Sequence, residues 1–230
     1  MAGGFTVFIS ELATPKSRVR LWSQPMQFVS VALCTYNGAR YLPEQLASIE
    51  AQSHPVNEVV ICDDGSTDAT PQIVADFAER VSFPVRLTVN QPNLGSTKNF
   101  EKALLACRGD VLLLSDQDDR WMPDRVAQTL AYFAERPDMD AVFSNARVMD
   151  DDSQPTGRTI WEEVQFTPEL QQRWRAGEAH EILFNGYVVT GATLAIRQRA
   201  LALTVPFPAC FEKLIHDGWM ALVLAVKGTI

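Results

Sequence analysis

Residues 110–119 read DVLLLSDQDD, and this stretch decides how the chain folds. The run from Asp110 to Leu114 is nearly all apolar, which is typical of a strand buried on both faces in the middle of a parallel sheet. Polar residues follow at once, from Ser115 to Asp119, and three of them are aspartates. The sequence therefore predicts a central strand that ends in an acidic loop.

Two earlier segments repeat this order of an apolar strand and a polar loop. Residues 28–34 (FVSVALC) lead into the turn residues 35–38 (TYNG), and residues 58–62 (EVVIC) lead into residues 63–66 (DDGS). Amphipathic segments with helical spacing, such as residues 41–51, separate the strands. This alternation predicts a doubly wound α/β sheet, in which ligands bind beyond the carboxyl ends of the strands. We therefore expect the three polar loops to meet at one edge of the sheet.

The rest of the chain divides into an extension and two halves of one domain. Residues 1–25 have no clear periodicity, and we expect them to form a flexible extension. Residues 26–149 hold the regular α/β pattern, with further strands at 85–89 and 141–144 and helices that start near Thr70, Thr97 and Pro123. Pro71 after Thr70 indicates that Thr70 caps its helix. Residues 150–230 are less regular: residues 185–197 have strand-like alternation, and a helix is predicted at 217–226.

The acidic loop has two interpretations. Crowded carboxylates repel one another unless a cation joins them. Mg²⁺ and Mn²⁺ take oxygen ligands and bridge carboxylates to phosphates, so Asp116, Asp118 and Asp119 are candidate metal ligands. The alternative is an acidic turn that caps the next helix. The position after a buried strand favours the metal.

The loop after the second strand is open to the same two interpretations. Asp63 or Asp64 accepts hydrogen bonds from a base or a ribose, or the loop caps the following helix through Ser66 and Thr67. His216 and Asp217 begin the last predicted helix. Asp217 is a candidate general base for an attacking hydroxyl, and the alternative is a carboxylate favoured there by the helix dipole.

Composition excludes several classes of protein. The net charge is −8, and no cluster of Lys and Arg is present, so nucleic acid is not an expected partner. No apolar run approaches the roughly 20 residues that span a bilayer. The four cysteines form no CxxC pair, which indicates a reducing, cytoplasmic setting.

Six motifs together resemble family 2 glycosyltransferases, and most of all their rhamnosyltransferase-like branch. In order they are FVSVALCTYNGARYLPEQLASIEAQ (28–52), EVVICDDGSTDAT (58–70), NLGSTKNFEKAL (93–104), DVLLLSDQDDRWMPDRV (110–126), VVTGATLAIR (188–197) and HDGW (216–219). The resemblance covers residues 29–230. It implies a GT-A fold, which is a Rossmann-like, mostly parallel sheet with helices on both faces.

The resemblance also implies an inverting transfer of a hexosyl or deoxyhexosyl group from a nucleotide-diphosphate sugar, dTDP- or UDP-linked. The acceptor it implies is a hydroxyl of a glycan or lipid-linked acceptor in cell-surface polysaccharide synthesis. Residues 26–149 then bind the nucleotide sugar, and residues 150–230 carry the acceptor side. The family's roles fall on these positions: donor binding on Thr35, Tyr36, Asn37, Asp63, Asp64 and Asp116, metal binding (Mg²⁺ or Mn²⁺) on Asp118, Asp116 and Asp119, catalytic base on Asp217, and the segment leading to the acceptor on Gly191.

The resemblance departs from the family pattern at the end of the chain. Family members normally continue beyond the helix that bears the base, so we expect either a truncated or a short version. The membrane-contacting tail of the family is also absent from the sequence, which leaves a cytoplasmic protein with peripheral contact at the inner face of a membrane as the expected location.

Two rival functions stay open. A nucleotidyltransferase also combines an α/β fold with metal-binding carboxylates, but such enzymes present a Gly-rich, basic loop early in the chain. The loop here, residues 35–38, has one Gly and no Lys. The second rival is a catalytically inactive or partner-dependent homologue that binds the nucleotide sugar.

Overall fold

The computed structural model describes residues 27–208 and 215–230 of the 230-residue chain. A six-stranded sheet in the order β3-β2-β1-β4-β8-β5 forms its centre. The first four strands along the chain are parallel: β1 (Val29–Thr35), β2 (Glu58–Asp63), β3 (Val85–Val89) and β4 (Val111–Asp116). Strand β8 (Ala195–Arg197) pairs antiparallel with β4, and β5 (Ala141–Val142) pairs antiparallel with β8. The predicted α/β fold of the GT-A type is confirmed.

Each face of the sheet packs against helices because successive strand residues point to opposite sides. In β1, Val31 and Leu33 face one apolar cluster, and Ala32 and Cys34 face the other. The first cluster takes in α1 (Leu42–Glu50), α2 (Thr70–Arg80) and α4 (Arg125–Glu135). The second cluster takes in α3 (Ser96–Ala106) and the C-terminal helices. Cys34, Cys62 and Cys107 are buried and unpaired, and Cys210 lies outside the described residues.

The second half adds a hairpin and several short helices. Strands β6 (Arg147–Met149) and β7 (Pro155–Thr159) form the hairpin. The helices are α5 (Ile160–Glu163), α6 (Pro168–Arg173), a π-helical turn (Trp174–Glu178), α7 (Ala179–Asn185), a 3-10 turn (Gly191–Thr193), α8 (Gln198–Thr204) and α9 (His216–Lys227). Helices α7 and α8 both pack on α9, and the start of α9 contacts α3 through Phe100 and the 3-10 turn through Gly191.

Three local predictions are wrong. Thr70 does not cap α2, because its hydroxyl accepts the Gly38 N–H at 2.8 Å while Asp68 accepts the Thr70 N–H at 3.0 Å. The strand-like alternation of residues 185–197 gives a strand at Ala195–Arg197 alone, since the preceding residues form an irregular segment and a 3-10 turn. The loop after β2 does not cap α2 through Ser66, whose hydroxyl bonds to Asp63 instead. The extension at 1–25 lies outside the described residues.

The register of the parallel strands brings the polar loops together. Thr35 in β1 lies beside Asp63 in β2, and Cys34 lies beside Asp116 in β4. All three strands run in the same direction, so their carboxyl ends form one edge. The candidate residues after β1, β2 and β4 therefore share that edge, as predicted.

Candidate active site

The Asp63 carboxylate connects the loops after β1 and β2. Its Oδ2 accepts the Thr35 hydroxyl at 2.7 Å and also the Ser66 hydroxyl, and its Oδ1 accepts the Ser66 N–H at 2.8 Å. The Asn37 N–H in turn donates to the Ser66 hydroxyl at 2.8 Å. Asp63 is fully buried. Its contacts fix the shape of both loops at the edge of the sheet.

Asp64 performs the same task for the loop after β3. Its Oδ1 accepts the Leu94 N–H and its Oδ2 accepts the Gly95 N–H, both at 2.8 Å. The Asn90 side-chain amide donates to Oδ1 at 2.9 Å. A buried carboxylate with three N–H donors orders the entry to α3, so both aspartates of the loop are already engaged within the protein.

Tyr36 and Asn37 present exposed surface at the same edge. The Tyr36 side chain is 53% exposed. Asn37 adopts φ 48°, the left-handed region in which Asn is more common than most residues. The Gln117 side chain accepts the Tyr36 N–H at 2.8 Å and donates to the Tyr36 carbonyl at 3.1 Å. Gln117 therefore connects this loop to the acidic loop, a role that the sequence pattern does not predict.

The three carboxylates of the acidic loop after β4 differ in how deeply they are buried. The Asp119 side chain is buried, and its Oδ2 accepts the Asp116 N–H at 3.1 Å. Asp116 and Asp118 are only partly buried. Burial, followed by the negative charges of Asp118 and Asp217, raises the pKa of Asp116 to about 7. Burial also raises the pKa of Asp118, and burial with the two neighbouring carboxylates raises that of Asp119.

A buried arginine lies behind this loop. Arg125 at the start of α4 is 1% exposed, its guanidinium stacks 4.0 Å from the Trp121 ring centroid, and Nη2 donates to the Leu114 carbonyl at 3.3 Å. Its charge opposes the rise in the pKa of both Asp116 and Asp119. Within residues 27–208 and 215–230, its Nη1 atom has no hydrogen-bond partner. The positive charge of Arg125 therefore offsets part of the repulsion among the carboxylates of the acidic loop. The sequence pattern did not predict this role.

Asp217 comes from the other half of the domain and faces the acidic loop. It lies in the first turn of α9 and is 3% exposed. Its Oδ1 accepts the Gly218 N–H and its Oδ2 accepts the Gly191 N–H, both at 2.7 Å. The Tyr187 hydroxyl also donates to Oδ2. Because the charge of Asp217 raises the pKa of Asp116, the structure brings together the predicted base and the predicted metal loop.

His216, the neighbour of Asp217, is a core residue. Its ring is 3% exposed and stacks on Phe100 with 4.0 Å between centroids. Burial lowers its pKa, which favours the neutral ring. Neither ring nitrogen finds a hydrogen-bond partner in the described part of the chain.

The carboxylates do not form a metal cage by themselves. In the described ranges, no three His, Cys, Asp or Glu side chains are arranged to hold a metal ion. Mg²⁺ usually binds through one or two carboxylates and completes its shell with water and substrate phosphates. Burial is the main cause of the raised pKa of Asp116, and the negative charges of Asp118 and Asp217 add to it. Asp116 and Asp118 therefore fit a cation that is shared with a bound diphosphate.

Comparison with known proteins agrees with this geometry. Residues 30–202 match the model of Glycosyl transferase family 2, so the chain belongs to that family. A putative teichuronic acid biosynthesis glycosyltransferase of Bacillus subtilis, TuaG, is 32% identical over 108 residues, which are 47% of this chain and 42% of TuaG. The chain spans less than half the length of the curated relatives it matches.

Two solved structures share the fold at low sequence identity. TarS of S. aureus in complex with UDP has a TM-score of 0.60 and 23% identity, over 86% of this chain and 54% of TarS. The mannosyltransferase PcManGT of Pyrobaculum calidifontis, in complex with GDP-Man and Mn²⁺, has a TM-score of 0.60 and 22% identity, over 84% of this chain and 50% of that enzyme. Among the described residues, no helix has the length and apolar character needed to cross a bilayer.

Proposed function

We propose that this member of Glycosyl transferase family 2 moves a sugar from a nucleotide-diphosphate sugar to a hydroxyl of a glycan or a lipid-linked acceptor, with inversion at the anomeric carbon. The sugar is a hexose or a deoxyhexose, such as rhamnose, and the nucleotide is UDP or dTDP. Family membership supports glycosyl transfer, and the arrangement of carboxylates supports the mechanism.

One observation carries the proposal. A buried carboxylate on α9, Asp217, lies within electrostatic reach of Asp116 at the carboxyl end of β4. Single-displacement transfer needs a base on one side of the anomeric carbon and a stabilised leaving group on the other side. The two halves of the domain supply one component each.

The donor site takes in the exposed loop residues and the buried aspartates beneath them. Tyr36 and Asn37 face the nucleotide, whereas Thr35 is buried beneath them and contributes through its hydrogen bond to Asp63. Asp63 and Asp64 hold the loops that meet the base and the ribose. Both buried carboxylates are saturated by N–H and O–H donors. Loops whose backbone is fixed in this way are preorganised to bind the nucleotide.

The metal site consists of Asp116 and Asp118, with Asp119 beside them. A diphosphate cannot approach these carboxylates without a cation, since like charges repel. When bound, Mg²⁺ or Mn²⁺ supplies Lewis-acid stabilisation to the departing diphosphate. The buried Asp119 accepts the Asp116 N–H and so sets the direction of the loop, and Arg125 balances its charge.

The base step uses Asp217 Oδ2. The Gly191 N–H at 2.7 Å holds that oxygen in place from the back. An acceptor hydroxyl gives its proton to Asp217 while its oxygen attacks the anomeric carbon from the face opposite the diphosphate. The bond between that carbon and the diphosphate oxygen breaks, and the nucleotide diphosphate leaves with the electron pair.

Calorimetric titration of UDP, dTDP and GDP tests the donor site. We expect UDP or dTDP to bind with Mn²⁺ and to bind much more weakly with a chelator. Asp118→Ala should abolish the metal dependence, while Asp76→Ala, an exposed position on α2, serves as the matched control. Equal nucleotide affinity for Asp118→Ala and the unchanged protein would overturn the metal assignment.

The isosteric variant Asp217→Asn tests the base. We expect it to bind nucleotide normally and to lose transfer, because an amide cannot take the proton. Near-normal turnover would overturn the role of Asp217. Nucleotide binding by the unchanged protein with no transfer to any glycan or lipid-linked acceptor would identify the inactive or partner-dependent homologue instead.

The place of the reaction follows from its substrates. The relative TuaG is named for teichuronic acid biosynthesis. We place the transfer in cell-surface polysaccharide synthesis, in the cytoplasm at the inner face of the membrane. Release of the protein from membranes by salt tests this peripheral contact.

A further inference from the structure

Tyr187 covers the oxygen that the proposed base must use. Its hydroxyl donates to Asp217 Oδ2, the same oxygen that accepts the Gly191 N–H at 2.7 Å. The remaining oxygen, Oδ1, accepts the Gly218 N–H at 2.7 Å. Two of these three donors are backbone groups that cannot leave without unfolding their segment. Tyr187 is the donor that a side-chain rotation can remove.

The geometry of this contact is the one that an acceptor hydroxyl needs. A general base must lie within hydrogen-bond distance of the proton it abstracts, and that proton must point at its lone pair. The Tyr187 hydroxyl points its proton at Oδ2 in this way. Burial of the hydroxyl end of the side chain and the charge of Asp217, with that of Asp116, raise the pKa of Tyr187 far above its usual range, so the phenol keeps its proton and stays a donor.

The surroundings of Tyr187 let the side chain move while the backbone stays fixed. The residue follows α7 in a segment without regular structure, and its side chain is 39% exposed. The next two residues, Val188 and Val189, are buried in the core and anchor the segment. Partly exposed side chains change rotamer within nanoseconds, much faster than turnover.

From these contacts we infer that the Tyr187 hydroxyl stands in for the acceptor hydroxyl on Asp217 and is displaced when the acceptor binds. The inference rests on the proposed function of Asp217 as the base. When the nucleotide sugar is bound without an acceptor, the Tyr187 hydroxyl excludes water from Asp217 Oδ2 and so protects the nucleotide sugar from hydrolysis. The acceptor, which makes further contacts with the cleft, replaces the phenol and delivers its own proton to the same oxygen.

The variant Tyr187→Phe separates this role from a structural one. It keeps the ring and removes one hydroxyl, which leaves space for a water molecule hydrogen-bonded to Asp217. We expect hydrolysis of the bound nucleotide sugar without acceptor to rise about tenfold, the equivalent of one lost hydrogen bond to a charged group. If the Tyr187 hydroxyl merely oriented the base or stabilised the fold, its loss would make hydrolysis fall.

The experiment uses UDP-glucose, UDP-N-acetylglucosamine, dTDP-rhamnose and GDP-mannose, each with Mn²⁺, and measures nucleotide diphosphate release without acceptor. Tyr132→Phe, a partly buried tyrosine on α4, is the matched control and should release nucleotide at the unchanged rate. The double variant Tyr187→Phe with Asp217→Asn should show no rise, because the base is gone.

Calorimetry of the nucleotide keeps the two failures apart. If the unchanged protein binds no nucleotide, the proposed function fails and this inference fails with it. If Tyr187→Phe and the unchanged protein bind nucleotide equally well, but hydrolysis is the same or slower in the variant, the inference is overturned and the donor site stands. A rise in hydrolysis that persists in the double variant also overturns the inference, because the added hydrolysis then does not depend on the Asp217 carboxylate.

Discussion

Replacing Gly191 with alanine tests whether close packing holds the proposed base in position. A Cβ atom at residue 191 would lie 2.9 Å from Nε2 of His216, 3.1 Å from Oδ2 of Asp217 and 3.3 Å from Cβ of Asp217. Ordinary van der Waals contact for a Cβ begins at 3.4 Å, so the first contact must open by about half an ångström. His216 is held by Phe100 and cannot retreat freely.

The size of the effect follows from this geometry. Overpacking of this kind costs about 1–3 kcal/mol of stability, which differential scanning calorimetry measures as a fall in Tm. The displaced Asp217 also loses its alignment with the Gly191 N–H. Because a misplacement of 1 Å costs about a hundredfold in rate, we expect transfer to fall about ten- to a hundredfold. Nucleotide affinity should stay unchanged, since the donor loops belong to the other half of the domain.

The matched control is Gly186→Ala in the same segment. The nearest atom to its added Cβ is the Ile182 carbonyl oxygen at 3.8 Å, and its backbone is extended, so alanine fits there. We expect this variant to transfer sugar normally and to keep its Tm. If Gly191→Ala transfers as fast as Gly186→Ala, the close approach of Gly191 does not position Asp217, and the reasoning is refuted.

Further predictions concern the charges at the edge of the sheet. Since the pKa of Asp116 is raised to about 7, the folded protein binds more protons than the unfolded chain between pH 3.8 and about 7, and the metal-free protein should lose stability as pH rises through that window. The same ionisation creates the metal ligand, so metal-dependent nucleotide affinity should increase from pH 6 to about pH 8 in calorimetry, and a flat profile would count against Asp116. Arg125→Met removes the buried charge opposite Asp116 and Asp119. It should cost about 3 kcal/mol by urea unfolding between pH 7 and about pH 9, where Asp116 and Arg125 are both charged, and less below pH 7, whereas Arg125→Lys should recover part of the loss. In Asp64→Asn, the side-chain NH₂ group replaces one of the two oxygens that accept the backbone N–H groups of Leu94 and Gly95. The free energy of unfolding should fall by about 1–3 kcal/mol, and an unchanged Tm would contradict this.

The sequence determined the strands and the loops that carry the chemistry. Apolar runs such as residues 110–114 can only be buried on both faces, and each ends in a polar loop. Parallel strands share one edge, so the strand pattern alone placed Thr35, Asp63 and Asp116 together. These inferences succeeded because they depend on local periodicity and on a topological rule.

The sequence was less informative where short strands pair antiparallel with the otherwise parallel sheet. Strand β8 inserts antiparallel between β4 and β5, and its three residues follow a 3-10 turn. Short strands have too few residues for a period to emerge, so the alternation of residues 185–197 predicted a strand that is mostly absent. The 3-10 turn in this segment packs against β4 and α9, which come from other parts of the chain, and these long-range contacts leave no trace in the local pattern.

Only the tertiary structure decided which residues from distant parts of the chain interact. Tyr187 meets Asp217, Gln117 meets Tyr36, and Arg125 lies behind the acidic loop. No local pattern distinguishes these three residues from ordinary polar residues, because each acts through a partner on another element of the fold. The sequence determined which residues lie at the carboxyl edge of the sheet, because local periodicity specifies which strand residues are buried. The packing of the second half of the domain determined which residues face that edge, because a long-range contact depends on how complete helices and strands fit together.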